Sequence, residues 1–162
     1  MQTSEILTLF DYSYWATARI LRAALPVTPQ QFDAPDTSGH RTLRATLSHA
    51  LRAEMTWRTR LQHVVLPAEP ALNTPAELQQ AWAAEQGSLR AYLEHLTDAE
   101  LHSRLAYQNS KGEPFEDIVW HILLHMLNHS TQHRAEAAAM LTDFGRSPGD
   151  VDMILYFREK GL

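Results

Sequence analysis

Four histidines, His121, His125, His129 and His133, recur at every fourth residue within the mostly apolar stretch from Ile118 to Leu141. Residues four apart on a helix share a face, with Cβ atoms roughly 5–6 Å apart. Two imidazoles placed that way can meet on one metal ion at about 2.0–2.1 Å. Three neighbouring pairs have this spacing: His121 with His125, His125 with His129, and His129 with His133. All four cannot serve one ion, because each four-residue step turns the face by ~40°, giving ~120° and ~18 Å of rise across the run. Spacing alone leaves the pair open, and leaves open the plainer reading of surface or hydrogen-bonded core histidines.

A third ligand must come from a different helix. His49 is the candidate, because it sits mid-helix among the core-facing Leu43, Leu47 and Ala50. A histidine at a core-facing position needs a partner, since an unpaired buried polar group is costly. His63 and His95 lie near helix ends, His40 before one and His102 just after a turn, which are solvated places.

These residues need long helices to position them, and the sequence supplies four. Residues 4–25 carry Ile6, Leu7, Phe10, Tyr14, Ala18, Leu21 and Leu25 at helical spacing, and Pro26 and Pro29 end the run. A polar connection follows over residues 27–40. The second helix is expected over 41–65, with Leu43, Leu47, Ala50, Leu51, Glu54, Trp57 and Leu61 near one side. Thr74-Pro75-Ala76-Glu77 combines a cap, a first-turn proline and a capping box, and opens a third helix to residue 96. Thr97-Asp98-Ala99-Glu100 is a second capping box that starts only a short turn. Residues 103–115 read as a small hairpin or an ordered loop. The fourth helix is expected over 114–143, with Gly145 as its C-terminal cap. A short last helix then runs through Met153, Ile154, Tyr156 and Phe157. The fold class that follows is all-α: one four-helix-bundle domain over residues 1–162.

Composition narrows the chemistry. The chain has 162 residues, 44% of them hydrophobic, so it can bury a core. It has no cysteine, which excludes disulfides, thiolate metal ligands and a cysteine nucleophile, and leaves His, Asp and Glu as donors. No apolar run reaches the ~18 residues of a membrane span, and the first residues lack a signal-peptide pattern, so a cytoplasmic location is expected. Arg41, Arg44, Arg52, Arg58 and Arg60 give one segment a basic lean, but the net charge of −5 opposes nucleic acid as a partner.

Beyond spacing, the residues match a known pattern. Asn128-His129-Ser130-Thr131-Gln132-His133-Arg134, followed by Met140-Leu141, Gly145 and Pro148, resembles the DinB / YfiT-like superfamily. Thr46-Leu47-Ser48-His49 with Glu54 and Trp57 is similar to that family's second helix. Tyr14-Trp15-Ala16-Thr17 with Arg19-Ile20-Leu21 is similar to its first, and Asp152 to Phe157 to its C-terminal end. The resemblance covers essentially the whole chain. It implies a DinB-like four-helix bundle, often a homodimer, with one divalent metal ion, zinc or nickel, on His49, His129 and His133. The implied pair is therefore His129 and His133. His125, Asn128, Glu54, Trp57 and Glu136 become candidates for groups that orient the ligands or line a pocket. Tyr14 and Trp15 are further pocket candidates, with core packing as their plainer role. One departure is Ala135-Glu136, where many members have Gly-Gln; Glu136 then either orients His133 or is solvated.

Relatives of this kind include transferases that use low-molecular-weight thiols and maleylpyruvate isomerases. The resemblance thus implies a metal-dependent enzyme that activates a small thiol for S-transfer to a small electrophile. The alternative is a non-catalytic metal-binding bundle of a stress (damage-inducible) response. The two differ in whether a protein group such as Glu54 or Glu136 closes the fourth position on the metal.

Overall fold

The computed structural model describes residues 1–36 and 41–162, so the expected solvation of His40 lies outside the described residues. Four long helices dominate: α1 (Thr3–Ala24), α3 (Leu43–Leu61), α4 (Pro75–His95) and α6 (Val119–Asp143). Short helices α2 (Pro29–Phe32), α5 (Asp98–Leu101) and α7 (Met153–Lys160) join them, with a two-stranded antiparallel hairpin of β1 (Arg104–Gln108) and β2 (Pro114–Ile118). The long helices form a closed ring in which α1 packs on α6, α6 on α3, α3 on α4 and α4 on α1. No helix among the described residues is long and apolar enough to cross a membrane.

Local chemistry sets the helix ends. Both expected capping boxes form: Thr74 accepts from Glu77 N at 3.2 Å, and Thr97 from Glu100 N at 3.2 Å. After α6, Gly145 takes φ 69°, and Arg146 N donates to Leu141 O at 2.7 Å, closing the carbonyls the helix leaves open.

Several expected boundaries move. The second helix is shorter than residues 41–65: Thr42 caps Ala45 N at 3.0 Å, and His63 leaves the helix with φ 54°. The fourth begins at Val119 rather than 114, because residues 114–118 pair with β1 in the register Arg104↔Ile118 to Gln108↔Pro114. The ambiguity over residues 103–115 thus resolves as a hairpin. The connection after α1 holds a turn of helix, Pro29–Phe32, with Thr28 capping Gln31 N at 3.2 Å.

Two large apolar clusters make up most of the core, beside a small third one of Tyr12, Ala16 and Tyr156 between α1 and α7. One of the large pair gathers Ile20, Phe32, Leu43, Leu47, Leu51, Leu78, Trp82 and Leu141. The other gathers Ile6, Phe10, Leu89, Leu93, Leu101, Ile122 and Leu123. Polar side chains are buried on the same helices at intermediate positions: Ser13 and Thr17 from α1, Glu54 from α3, Glu85 from α4, and Ser130 and Arg134 from α6. Ala18 and Leu25, expected on the inner stripe of α1, are exposed instead. The inward phase runs through Ser13 and Thr17, and Ser13 Oγ accepts from Arg134 Nη1 at 2.6 Å.

Candidate metal centre

Helices α3 and α6 run antiparallel, since His49 lies beside His129 and His133 while Trp57, two turns further along α3, lies against His125. This packing joins the three implied ligands. Ring centroids are 4.4 Å apart for His129 and His133, 4.8 Å for His49 and His133, and 5.3 Å for His49 and His129. One nitrogen from each ring lies within 4.8 Å of the other two, and no fourth His, Asp or Glu joins this group among the described residues. Burial is graded, with His133 buried, His129 partly buried and His49 exposed. His49 is therefore not the core-facing residue its neighbours suggested. It stands on the flank of the stripe formed by Leu43, Leu47 and Ala50.

The donor chemistry fits a metal ion. His133 Nδ1 lies 2.7 Å from Glu136 Oε2. An ionised carboxylate only accepts, so Nδ1 carries the proton and Nε2 is left as a lone pair. That Nε2 faces His129 Nε2 at 3.2 Å. Two nitrogens bound tetrahedrally at ~2.05 Å stand about 3.3 Å apart, so the pair has the separation one ion requires. Burial first, then the neighbouring His133, His49 and His125, bring the His129 imidazole down to about 4. Burial, His133 and Arg41 lower His49 as well. Both rings are thus held in the neutral form that binds metals.

Glu136 therefore orients His133, and Arg41 Nη1 stands 4.0 Å from the same oxygen. Glu54 is buried on the far side of the site, in a small cavity it shares with Trp57, Met126, His129 and Ser130. Burial and then Glu85 raise its carboxyl to about 8, and its Oε1 has no hydrogen-bond partner. Neither carboxylate belongs to the ligand group.

The remaining candidates divide. His125 stacks edge-on against Trp57, its centroid 5.6 Å from that ring and 5.8 Å from the ring of His129, so it forms a wall between the centre and its neighbourhood. Asn128 is exposed, and among the described residues its amide makes no hydrogen bond to an imidazole. Trp15 lies away from the site, against α7, donating to Glu159 Oε2 at 3.0 Å. Tyr14 packs on the second apolar cluster with its hydroxyl buried and unpartnered; burial, then Glu54 and Glu85, raise its pKa. His121 is exposed, edge-on to Trp120 at 4.0 Å.

Sequence reasoning missed the buried ionic groups behind the site. Arg58 grips Glu85 with two bonds, Nε to Oε1 at 2.6 Å and Nη2 to Oε2 at 2.8 Å. Arg134 is buried between Ser13 and Thr131 Oγ1, the latter at 2.8 Å. A signal was present: Glu85 falls in phase with Leu78, Trp82, Leu89 and Leu93, all buried on α4. The basic lean of α3 is likewise no open face, since Arg58 turns inward, Arg52 bonds Pro67 O at 2.7 Å and Arg60 lies on the Trp57 ring.

The sequence model of the DinB family matches residues 1–160. Among solved structures, a DinB-like protein from Bacillus cereus ATCC 10987 superposes with a TM-score of 0.69, covering 88% of this chain and 95% of that one at 16% identity. At that identity the match speaks for the fold. No curated protein matches the chain.

Proposed function

The chain belongs to the DinB family, and from that premise we propose that it is a metal-dependent enzyme that activates a low-molecular-weight thiol for S-transfer to a small electrophile. The observation that carries this reading is the convergence of His49, His129 and His133 with no carboxylate in the group. These three residues would hold one divalent ion, zinc or nickel. On three neutral imidazoles such an ion would supply the chemistry of lowering the pKa of a bound water or thiol.

The chain's own groups do the rest. Glu136 fixes the tautomer of His133, and its hydrogen bond makes Nε2 the better donor. Burial keeps His129 neutral. His49, the exposed member, marks the side from which small molecules arrive. The thiol must come from outside, because the protein has no cysteine. Burial raises the Glu54 carboxyl to about 8, and it lies outside the ligand group.

The alternative, a non-catalytic metal-binding bundle of a stress response, needs a protein group in the fourth position. Glu136 is engaged behind His133 and Glu54 lies outside the ligand group, which favours the open site. The homodimer and the cytoplasmic location belong to the same proposal. The test is to incubate zinc- and nickel-loaded protein with several biological thiols and a chromogenic electrophile. Turnover that vanishes on chelation is expected. No thiol consumption with any pairing, from protein shown to carry its ion, would favour the non-catalytic bundle.

A further inference from the structure

The hairpin makes a second hollow beside the centre. β2 runs directly into α6, so the hairpin folds back over α3, where Arg60 Nη2 donates to Gln108 O at 2.8 Å. Between them is a cavity of about 350 Å³ lined by Trp57, Tyr107, Asp117, His121, Ile122 and His125. That volume is at the lower end of the ~300–1,000 Å³ of small-molecule sites. Four of the six lining side chains are rings. Trp57 meets Tyr107 edge-on at 5.0 Å, and His125 links Trp57 to the ligand His129.

We infer that this hollow seats a neutral, flat aromatic molecule bearing a hydroxyl or amino donor, with the ring among Trp57, Tyr107 and His125 and the donor on Asp117. Aromatic rings favour edge-to-face or offset contacts with another ring, which a saturated molecule of the same size cannot reproduce. The polar end is set by Asp117. Its Oδ2 accepts from Tyr107 O–H at 2.8 Å, and among the described residues no Lys or Arg forms an ion pair with it. A carboxylate in the hollow therefore calls for a ligand that donates. No Lys or Arg lines the cavity, and the Asp117 carboxylate in its wall repels an anionic ligand. Arg60 is not a lining residue: its guanidinium lies 4.7 Å from the Trp57 centroid and 5.0 Å from that of Tyr107, holding the two rings together by cation–π contact.

The role of this pocket as the electrophile's seat rests on the S-transfer reading; ring binding itself does not. The test is a titration of the full chain, zinc-loaded and metal-stripped, with 2-naphthol, its fully saturated counterpart decahydro-2-naphthol, and 2-naphthoate. The readout is the indole N–H signals of the four tryptophans, with Trp57 assigned by Trp57→Phe. Saturable movement of the Trp57 signal by 2-naphthol is expected in both metal states. Both other ligands should bind more weakly, and Asp117→Asn should weaken 2-naphthol about tenfold. Tyr107→Leu, which keeps an apolar residue in the strand, should weaken it too and stands in should Asp117→Asn fail to fold. An unmoved Trp57 signal, equal binding of the saturated counterpart, or binding indifferent to the folded variants overturns the inference. Thiol transfer without ring binding would sink this pocket and leave the transferase; ring binding without transfer would do the reverse.

Discussion

His129 and His133 share a helix and a spacing with His121 and His125, yet the two pairs keep different company. The first pair faces α3 where His49 stands, with ring nitrogens 3.2 Å apart, Glu136 behind one ring, and partial or full burial. The second pair is exposed at the hairpin, where His121 lies on Trp120 and His125 on Trp57. Asp117 lines the same hollow as His121 and His125, but these groups do not gather as the first three do. An i, i+4 pair is thus only an opportunity. What separates the two is a third nitrogen from another helix and a carboxylate that fixes a tautomer.

Substitution should expose that difference most sharply. His133→Ala or His129→Ala should reduce metal content from about one ion per chain to none, since two imidazoles leave the ion without its facing pair. Elemental analysis of untagged protein, with helix content checked by circular dichroism, measures it. Retention of the ion in both variants would move the centre elsewhere. Glu136→Ala comes next: the ion should stay but bind about 10–100-fold more weakly, the usual cost of losing a group that orients a ligand. Competition with a chelator reads this directly, and unchanged affinity would reduce Glu136 to a solvated surface acid.

Much of this arrangement is legible in the amino-acid sequence. Capping boxes at Thr74 and Thr97 and the cap at Gly145 are local chemistry, and each forms as the residues dictate. The histidine pair is local too. His49 was reachable through the family pattern, although its exposure was not, because a one-residue change of helical phase separates a core stripe from its flank. The start of α6 was misplaced because pairing of residues 114–118 with β1 is a tertiary event that overrides a helical-looking run. Glu54, Glu85 and Arg134 have the types of surface residues, and only their phase within apolar stripes betrays their burial. Glu136 could not be resolved from spacing, since three residues beyond a histidine is equally a solvated position.

Burial offers a further contrast, because a neutral acid underlies the first pair. Glu54 ionises near 4.5 when unfolded and is raised to about 8 in the fold. Between those values the folded state holds a proton that the unfolded state has released. Its stabilising contribution is therefore full below about 4.5 and is lost as pH rises through about 8. Glu85 is shifted in the same direction by burial, against the pull of Arg58, and adds to the slope. Glu54→Gln, neutral throughout, should flatten this decline and gain on the order of 1–3 kcal/mol near pH 8 relative to the parent. Urea unfolding of metal-free protein at pH 5, 6.5 and 8 measures it. Parallel curves for parent and variant would mean that Glu54 is ionised and paired inside the bundle.

The smallest effect is expected at the other end of the helix. His121→Ala removes an exposed ring whose only ring contact among the described residues is with its neighbour Trp120. Exposed substitutions away from caps and buried networks fall within about 0.5 kcal/mol. Metal stoichiometry, chelator competition and unfolding midpoint should therefore match the parent, while the Trp120 indole signal alone moves. His125→Ala should likewise keep the full ion, but it removes the wall between His129 and Trp57 and so should move the Trp57 signal. If either variant instead shed the ion as completely as His133→Ala, four-residue spacing would govern binding along the whole run, and the distinction drawn from His49 and Glu136 would fail.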